Sequence, residues 1–173
     1  MRLTSRSPDE TRALARELAL ALGSGDLLIA LRGPLGAGKT LFAKGLAEGL
    51  GIDPRRVASP TFAIASEYPL PDGRRLAHVD LYRVESEAEL EAAGFLDLLA
   101  PGTLLVVEWA DRFPAALPAD RLEVSIERPP DAGAPERRVL HAVAGGERAR
   151  AACARWRAAW PQPGAGAEDG VAD

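Results

Sequence analysis

The chain has 173 residues, 47% of them hydrophobic and 27% charged, with a formal net charge of -4. That balance is ordinary for a soluble globular protein able to bury a core, and it lacks the basic footprint of a nucleic-acid binder. No apolar run approaches the roughly 20 residues that span a bilayer, MRLTSRSPDE contains no apolar stretch of signal-peptide type, and a single cysteine, Cys153, excludes an intramolecular disulfide, so a cytoplasmic protein without membrane contact is expected.

In chain order, SPDETRALARELALALG (7–23) predicts a helix. Ser7 is placed to N-cap it, Pro8 suits the first turn, Glu10 completes a capping box and Gly23 follows the last turn. Leu14, Leu18 and Leu22 share one apolar face. DLLIAL (26–31) is a short apolar run of buried-strand type, and a second helix is expected over 39–50, closed by Gly51. SPTFAIASEYPL (59–70) reads as a loop entering a strand, PDG (71–73) as a turn, and RRLAHVDLYR (74–83) as the second strand of a hairpin. ESEAELEAAGF carries another capping box, Ser86 with Glu89, and a stop at Gly94; the short amphipathic piece FLDLLA follows. TLLVVEW (103–109) has the length and apolarity of a strand buried on both faces of a parallel sheet. RLEVSIER alternates, with Leu122, Val124 and Ile126 on one face, and RRVLHAVAG is a further strand. ERARAACARWRAAW predicts a basic helix, and PQPGAGAEDGVAD (161–173) a disordered tail. The expected fold is one α/β domain over 1–160, a P-loop NTPase-like three-layer arrangement around a mixed, partly parallel sheet.

RGPLGAGKTLF (32–42), between the first predicted strand and the second helix, fits G-x-x-x-x-G-K-[ST] with Gly33, Gly38, Lys39 and Thr40. The spacing has a physical reason. Glycines let successive backbone N–H groups turn inward into an anion nest that a Cβ obstructs, so Gly33, Gly36, Ala37, Gly38 and Leu41 are nucleotide-binding positions. Lys39 can reach the β- and γ-phosphates and the Thr40 hydroxyl a Mg²⁺ ion. The expected ligand is ATP with Mg²⁺.

A second metal anchor is expected from an acid ending a nearby apolar strand, and Glu108 has that position; pairing with Arg112 is the alternative. His78, Asp80 and Tyr82 alternate along HVDLYR and so project together, with Val79 and Leu81 opposite. Asp80 is a candidate for holding metal-bound waters or orienting the attacking water, a solvated hairpin face being the plainer alternative. His78 alone reads as a structural hydrogen-bonder, and Arg83 as an electrostatic or salt-bridge partner. In SPTF (59–62), Ser59 and Thr61 are candidate sensors of the γ-phosphate or metal, or simply part of a proline turn.

Together GPLGAGKT, SPTF, HVDLYR, AELEAAGF and VEW, in this order over about residues 5 to 155, resemble the TsaE (YjeE) family of bacterial ATPases needed for threonylcarbamoyladenosine formation in tRNA. The resemblance implies a P-loop fold binding ATP and Mg²⁺, with TsaB and TsaD as partners that carry out the transfer beside the anticodon, and tRNA reached only through them. By position it implies that Lys39 binds phosphate, that Thr40 and Glu108 hold Mg²⁺, that Asp80 supports hydrolysis and that Trp109 lies near the nucleotide. Two positions depart from many relatives: Leu41 stands for a second hydroxyl residue, and Pro34 for an acid. Neither touches the metal or γ-phosphate chemistry.

Two other functions fit a phosphate loop. A small-metabolite kinase needs an arginine-rich lid, and the arginines of RFPAALPADR and PERRVLH are scattered. A nucleotide-dependent assembly factor needs little hydrolysis, and Asp80 with Glu108 argues against a dead site. The chain shows no obvious arginine finger of its own, so ATPase activity is expected to be weak alone and stronger with partners.

Overall fold

The computed structural model describes residues 1–23, 25–60, 64–130 and 133–160. Its core is a seven-stranded sheet made of β1 (Arg2–Ser5), β2 (Leu28–Arg32), β3 (Ala65–Pro69), β4 (Arg75–Asp80), β5 (Thr103–Glu108), β6 (Arg121–Glu127) and β7 (Arg138–Ala144), in the spatial order β1-β7-β6-β2-β5-β4-β3. The strands β6, β2, β5 and β4 run parallel to one another, while β7 pairs antiparallel with β6, β1 antiparallel with β7, and β3 antiparallel with β4. Strand β2 sits between β5 and β6, so the crevice outside its carboxyl end is the place where open α/β sheets take ligands.

The helices are α1 (Pro8–Leu22), α2 (Lys39–Gly49), α3 (Glu87–Ala92) and α4 (Glu147–Ala159). Ser7 caps α1, its hydroxyl accepting from the Glu10 N–H at 3.1 Å, and Leu14, Leu18 and Leu22 are buried as their spacing predicts. Both predicted capping boxes close one residue early: Glu10 reaches back to the Arg6 N–H and Glu89 to the Glu85 N–H. The PDG turn joins β3 to β4 as a hairpin, and Leu122, Val124 and Ile126 are fully buried.

Each inner strand contributes alternately to two cores. Ile29, Leu31, Leu76, Leu104 and Val106 pack with α1, α2 and α4, whereas Leu28, Ala30, Ala77, Val79, Leu105 and Val107 pack with Leu90 of α3 and with short 3-10 turns at Phe95–Leu99 and Ala110–Arg112. The result is the expected three layers. On the helix-covered face Trp156 of α4 is fully buried, donates to the Leu14 carbonyl at 2.9 Å and meets Phe42 of α2 edge-on at 6.0 Å. Helix α2 lies against α1 so closely that a Cβ on Gly45 would stand 2.2 Å from the Arg12 carbonyl oxygen. A helical glycine costs about 1 kcal/mol against alanine; here it permits the approach.

The structure departs from the sequence reading most at β2, β4 and β1. Strand β2 starts at Leu28 rather than 26, because the Asp26 carboxylate accepts from the Gly102 N–H at 2.7 Å and so caps a turn instead of entering the ladder. Strand β4 ends at Asp80 rather than 83: its carboxylate accepts from the Tyr82 N–H at 2.9 Å, a local bond that bends the chain out of the sheet. The four-residue edge strand β1 has no counterpart among the predicted elements, being too short and polar to show periodicity. Thr61 and the predicted tail (161–173) lie outside the described residues. Among the described residues no helix is long and apolar enough to cross a membrane.

Candidate functional site

The loop from Gly33 to Gly38 leaves the carboxyl end of β2 and delivers the chain to α2 at Lys39. Gly38 holds φ 110°, a conformation L side chains rarely adopt, and a Cβ on Gly33 would stand 2.3 Å from the Ile126 carbonyl oxygen of β6. Helix α2 starts with neither a capping side chain nor an acidic residue in its first turn, so its first N–H groups and positive dipole end face the loop uncompensated.

Parallel register brings the acids to this loop. Asp80 pairs with Glu108 across β4 and β5, and Leu31 pairs with Glu108 across β2 and β5. Glu108 is buried and both its oxygens are engaged: Oε2 accepts from the Thr40 hydroxyl at 3.0 Å, and Oε1 is 2.8 Å from His78 Nε2. The other ring nitrogen of His78, Nδ1, is buried without a hydrogen-bond partner among the described residues. The Thr40 proton points to Glu108, which leaves the hydroxyl lone pairs for a cation. The alternative pairing of Glu108 with Arg112 is not made; Arg112 donates to the Val84 carbonyl at 2.7 Å. Asp80 accepts from Ser59 on one oxygen and from the Tyr82 N–H on the other.

Lys39 is buried, donating to the Gly33 and Pro34 carbonyls at 2.7 and 3.0 Å, with its ammonium 3.6 Å from the centroid of the Trp109 ring. Burial lowers its pKa from the usual lysine value, against the opposing charges of Glu108, Asp80 and Asp111. A bound polyanion supplies what burial removes. Tyr82 packs on Trp109 at 4.9 Å, and Trp109 has φ 59°, the one non-glycine residue with positive φ among those described.

These groups surround a cavity of about 550 Å³, which takes in Gly36, Gly38, Lys39, Thr40, Leu41, Ser59, Asp80, Tyr82, Arg83, Glu108 and Trp109. Of the sequence-predicted site residues, Gly33 and Ala37 belong to the loop without lining the cavity: Gly33 abuts β6, and Ala37 is buried in the core. His78 lies beneath the cavity rather than in it, supporting Glu108. That agrees with the reading of His78 as a structural hydrogen-bonder, though the sequence does not identify its partner; sequence reasoning missed Arg138, which donates to the Ala37 carbonyl at 2.9 Å from the outer side of the loop. One of several arginines around the start of β7 carries no local signal of such a contact.

The residues fit a nucleotide with a hard divalent cation. Among the described residues no three His, Cys, Asp or Glu side chains gather as a metal cage. A site with one hydroxyl and one carboxylate suits Mg²⁺, which keeps waters and takes further oxygens from phosphates.

The model of the family "Threonylcarbamoyl adenosine biosynthesis protein TsaE" matches residues 5–139. The tRNA threonylcarbamoyladenosine biosynthesis protein TsaE of Bacillus subtilis is 44% identical over 140 residues, 80% of this chain and 83% of its own. Its namesake from Streptomyces coelicolor is 44% identical over 118 residues, 68% of this chain and 78% of its own. A crystal structure of Bacillus subtilis YdiB is similar with a TM-score of 0.68 at 33% identity, covering 91% of this chain and 94% of that one. The chain belongs to the TsaE family.

Proposed function

We propose that this member of the TsaE family is an ATP hydrolase that binds ATP with Mg²⁺ and serves threonylcarbamoyladenosine modification of tRNA by acting on a TsaB–TsaD pair, not by performing the transfer. The observation that carries the reading is the buried relay from Thr40 through Glu108 to His78, set beside a glycine loop whose lysine is already in place. A loop that only held phosphate would not need a carboxylate fixed at both oxygens behind the first helical hydroxyl.

In this reading the backbone N–H groups of the loop and the start of α2 bind the phosphates, and Lys39 neutralises their charge. Thr40 and Glu108 would hold Mg²⁺, which when bound would withdraw charge from the phosphates. Asp80 is held in place because Ser59 and the Tyr82 N–H both donate to it, and its remaining lone pairs orient water at the cavity. Arg83 is the arginine among the described cavity residues. A further cation from a partner can add about 10³–10⁵ in rate, so slow turnover alone and faster turnover with the pair are expected.

The test is steady-state phosphate release from ATP by the purified protein, alone and with TsaB–TsaD, beside Glu108→Ala. Stimulation that vanishes in the variant supports the proposal. Rates indifferent to the pair, with phosphate appearing on an added metabolite, point to a kinase instead.

A further inference from the structure

Arg138 opens β7, between β1 and β6 in the sheet and far in sequence from the phosphate loop, yet its guanidinium is spent on fixing that loop. Nε donates to the carbonyl of Ala37 at 2.9 Å, and Nη1 donates to the carbonyls of Pro135 and Arg137, each at 2.9 Å. The planar fork is therefore held by the turn it leaves, and its remaining direction of donation is imposed on Ala37.

The consequence follows from the geometry of one peptide unit. In a trans peptide the C=O and the following N–H point in opposite directions. Holding the Ala37 carbonyl outward toward β7 turns the Gly38 N–H to the other side, the side on which Gly38, but not Ala37, borders the cavity. Gly38 is permissive, and the N–H of Ala37, bonded to the Pro34 carbonyl at 3.1 Å, fixes the turn before it but not the plane after it. Gly33 is fixed independently by its contact with Ile126, so β6 and β7 back the loop at two points, one by contact and one by a charged donor.

We propose that Arg138 is a positioning residue for nucleotide binding: through the Ala37 carbonyl it fixes the direction of the Gly38 N–H and thereby keeps the anion nest formed before phosphate arrives. The inference rests on the loop being a nucleotide site, as proposed above. It assigns to β7 a part in ligand affinity beyond its place in the sheet.

The test uses the full chain with MgADP as probe, read by isothermal titration calorimetry and by the backbone amide signal of a ¹⁵N-labelled Gly38. Arg138→Ala is expected to weaken MgADP binding about tenfold, the loss typical of a charge-assisted hydrogen bond that orders a site. In free Arg138→Ala the Gly38 amide moves from its wild-type position, while amides of β2 and β5 stay in place. Arg138→Lys keeps the charge but not the fork and is expected to lose a smaller factor, about threefold; should the alanine variant fail to fold, this variant decides. Wild-type affinity with a wild-type Gly38 signal in the folded variant overturns the inference alone. Failure of the wild-type protein to bind MgADP overturns it together with the reading beneath it.

Discussion

The two faces of the sheet share the same strands, residue by residue, but are built to different rules. One is roofed by α1, α2 and α4, with α2 set against α1 at backbone distance through Gly45, and it carries His78 and Glu108 at its base. The other is covered by the six-residue α3 and by 3-10 turns, segments that leave the ends of β4 and β5 and pass the cavity as Tyr82, Arg83 and Trp109. Close packing on the first face fixes where the start of α2 stands relative to Glu108. The second face is a set of connections and can differ in sequence without moving the loop. The helix-covered face thus supplies geometry and the other supplies the rim.

That contrast can be broken at several points. The largest effect belongs to the acid on the helix-covered face: Glu108→Ala should reduce ATP turnover about 10²-fold or more, measured as phosphate release with the partner pair present. Gly45→Ala should destabilise the fold by about 1–3 kcal/mol, because its Cβ meets backbone that cannot step aside. It should also weaken MgADP binding, whereas Leu117→Ala on the other face should lower the melting temperature with affinity unchanged; equal effects on affinity would erase the distinction. Trp109→Leu removes the ring beside Lys39 and should weaken nucleotide binding by about two- to fivefold, readable by calorimetry.

The smallest effect lies on the surface after α2, where Arg55 donates to Asp53 and holds its carboxyl down to about 2 from the ordinary 3.8. A carboxylate depressed in the folded state stabilises it above the unfolded value, and that contribution fades as pH falls from 3.8 through about 2. The melting temperatures of wild type and Asp53→Asn should therefore differ slightly near neutrality and converge at pH 2.

What was legible in the sequence and what was not separates along physical lines. Ser7, Pro8 and Gly23 mark the ends of α1 by local chemistry, and the loop with Lys39 and Thr40 is readable because its pattern lies in contiguous residues. The site positions of Asp80 and Glu108 follow from strand ends, since register in a parallel sheet carries them to one edge. Asp26 and Asp80 shorten their strands through side-chain bonds that apolar patterning does not contain. The partner of His78 is 30 positions away and the carbonyl held by Arg138 is 101. Contacts of that kind exist only once the sheet order is known.

Trp109 sits in the left-handed region at φ 59°, a conformation that costs an L residue about 1–2 kcal/mol and that glycine adopts freely. A glycine there would relieve the backbone and empty the wall behind Lys39. The two properties therefore oppose each other in any search for a more stable variant: Trp109→Gly is a substitution that backbone conformation alone recommends and that the cavity forbids. Stabilising this protein by consulting its dihedral angles would begin by dismantling its site.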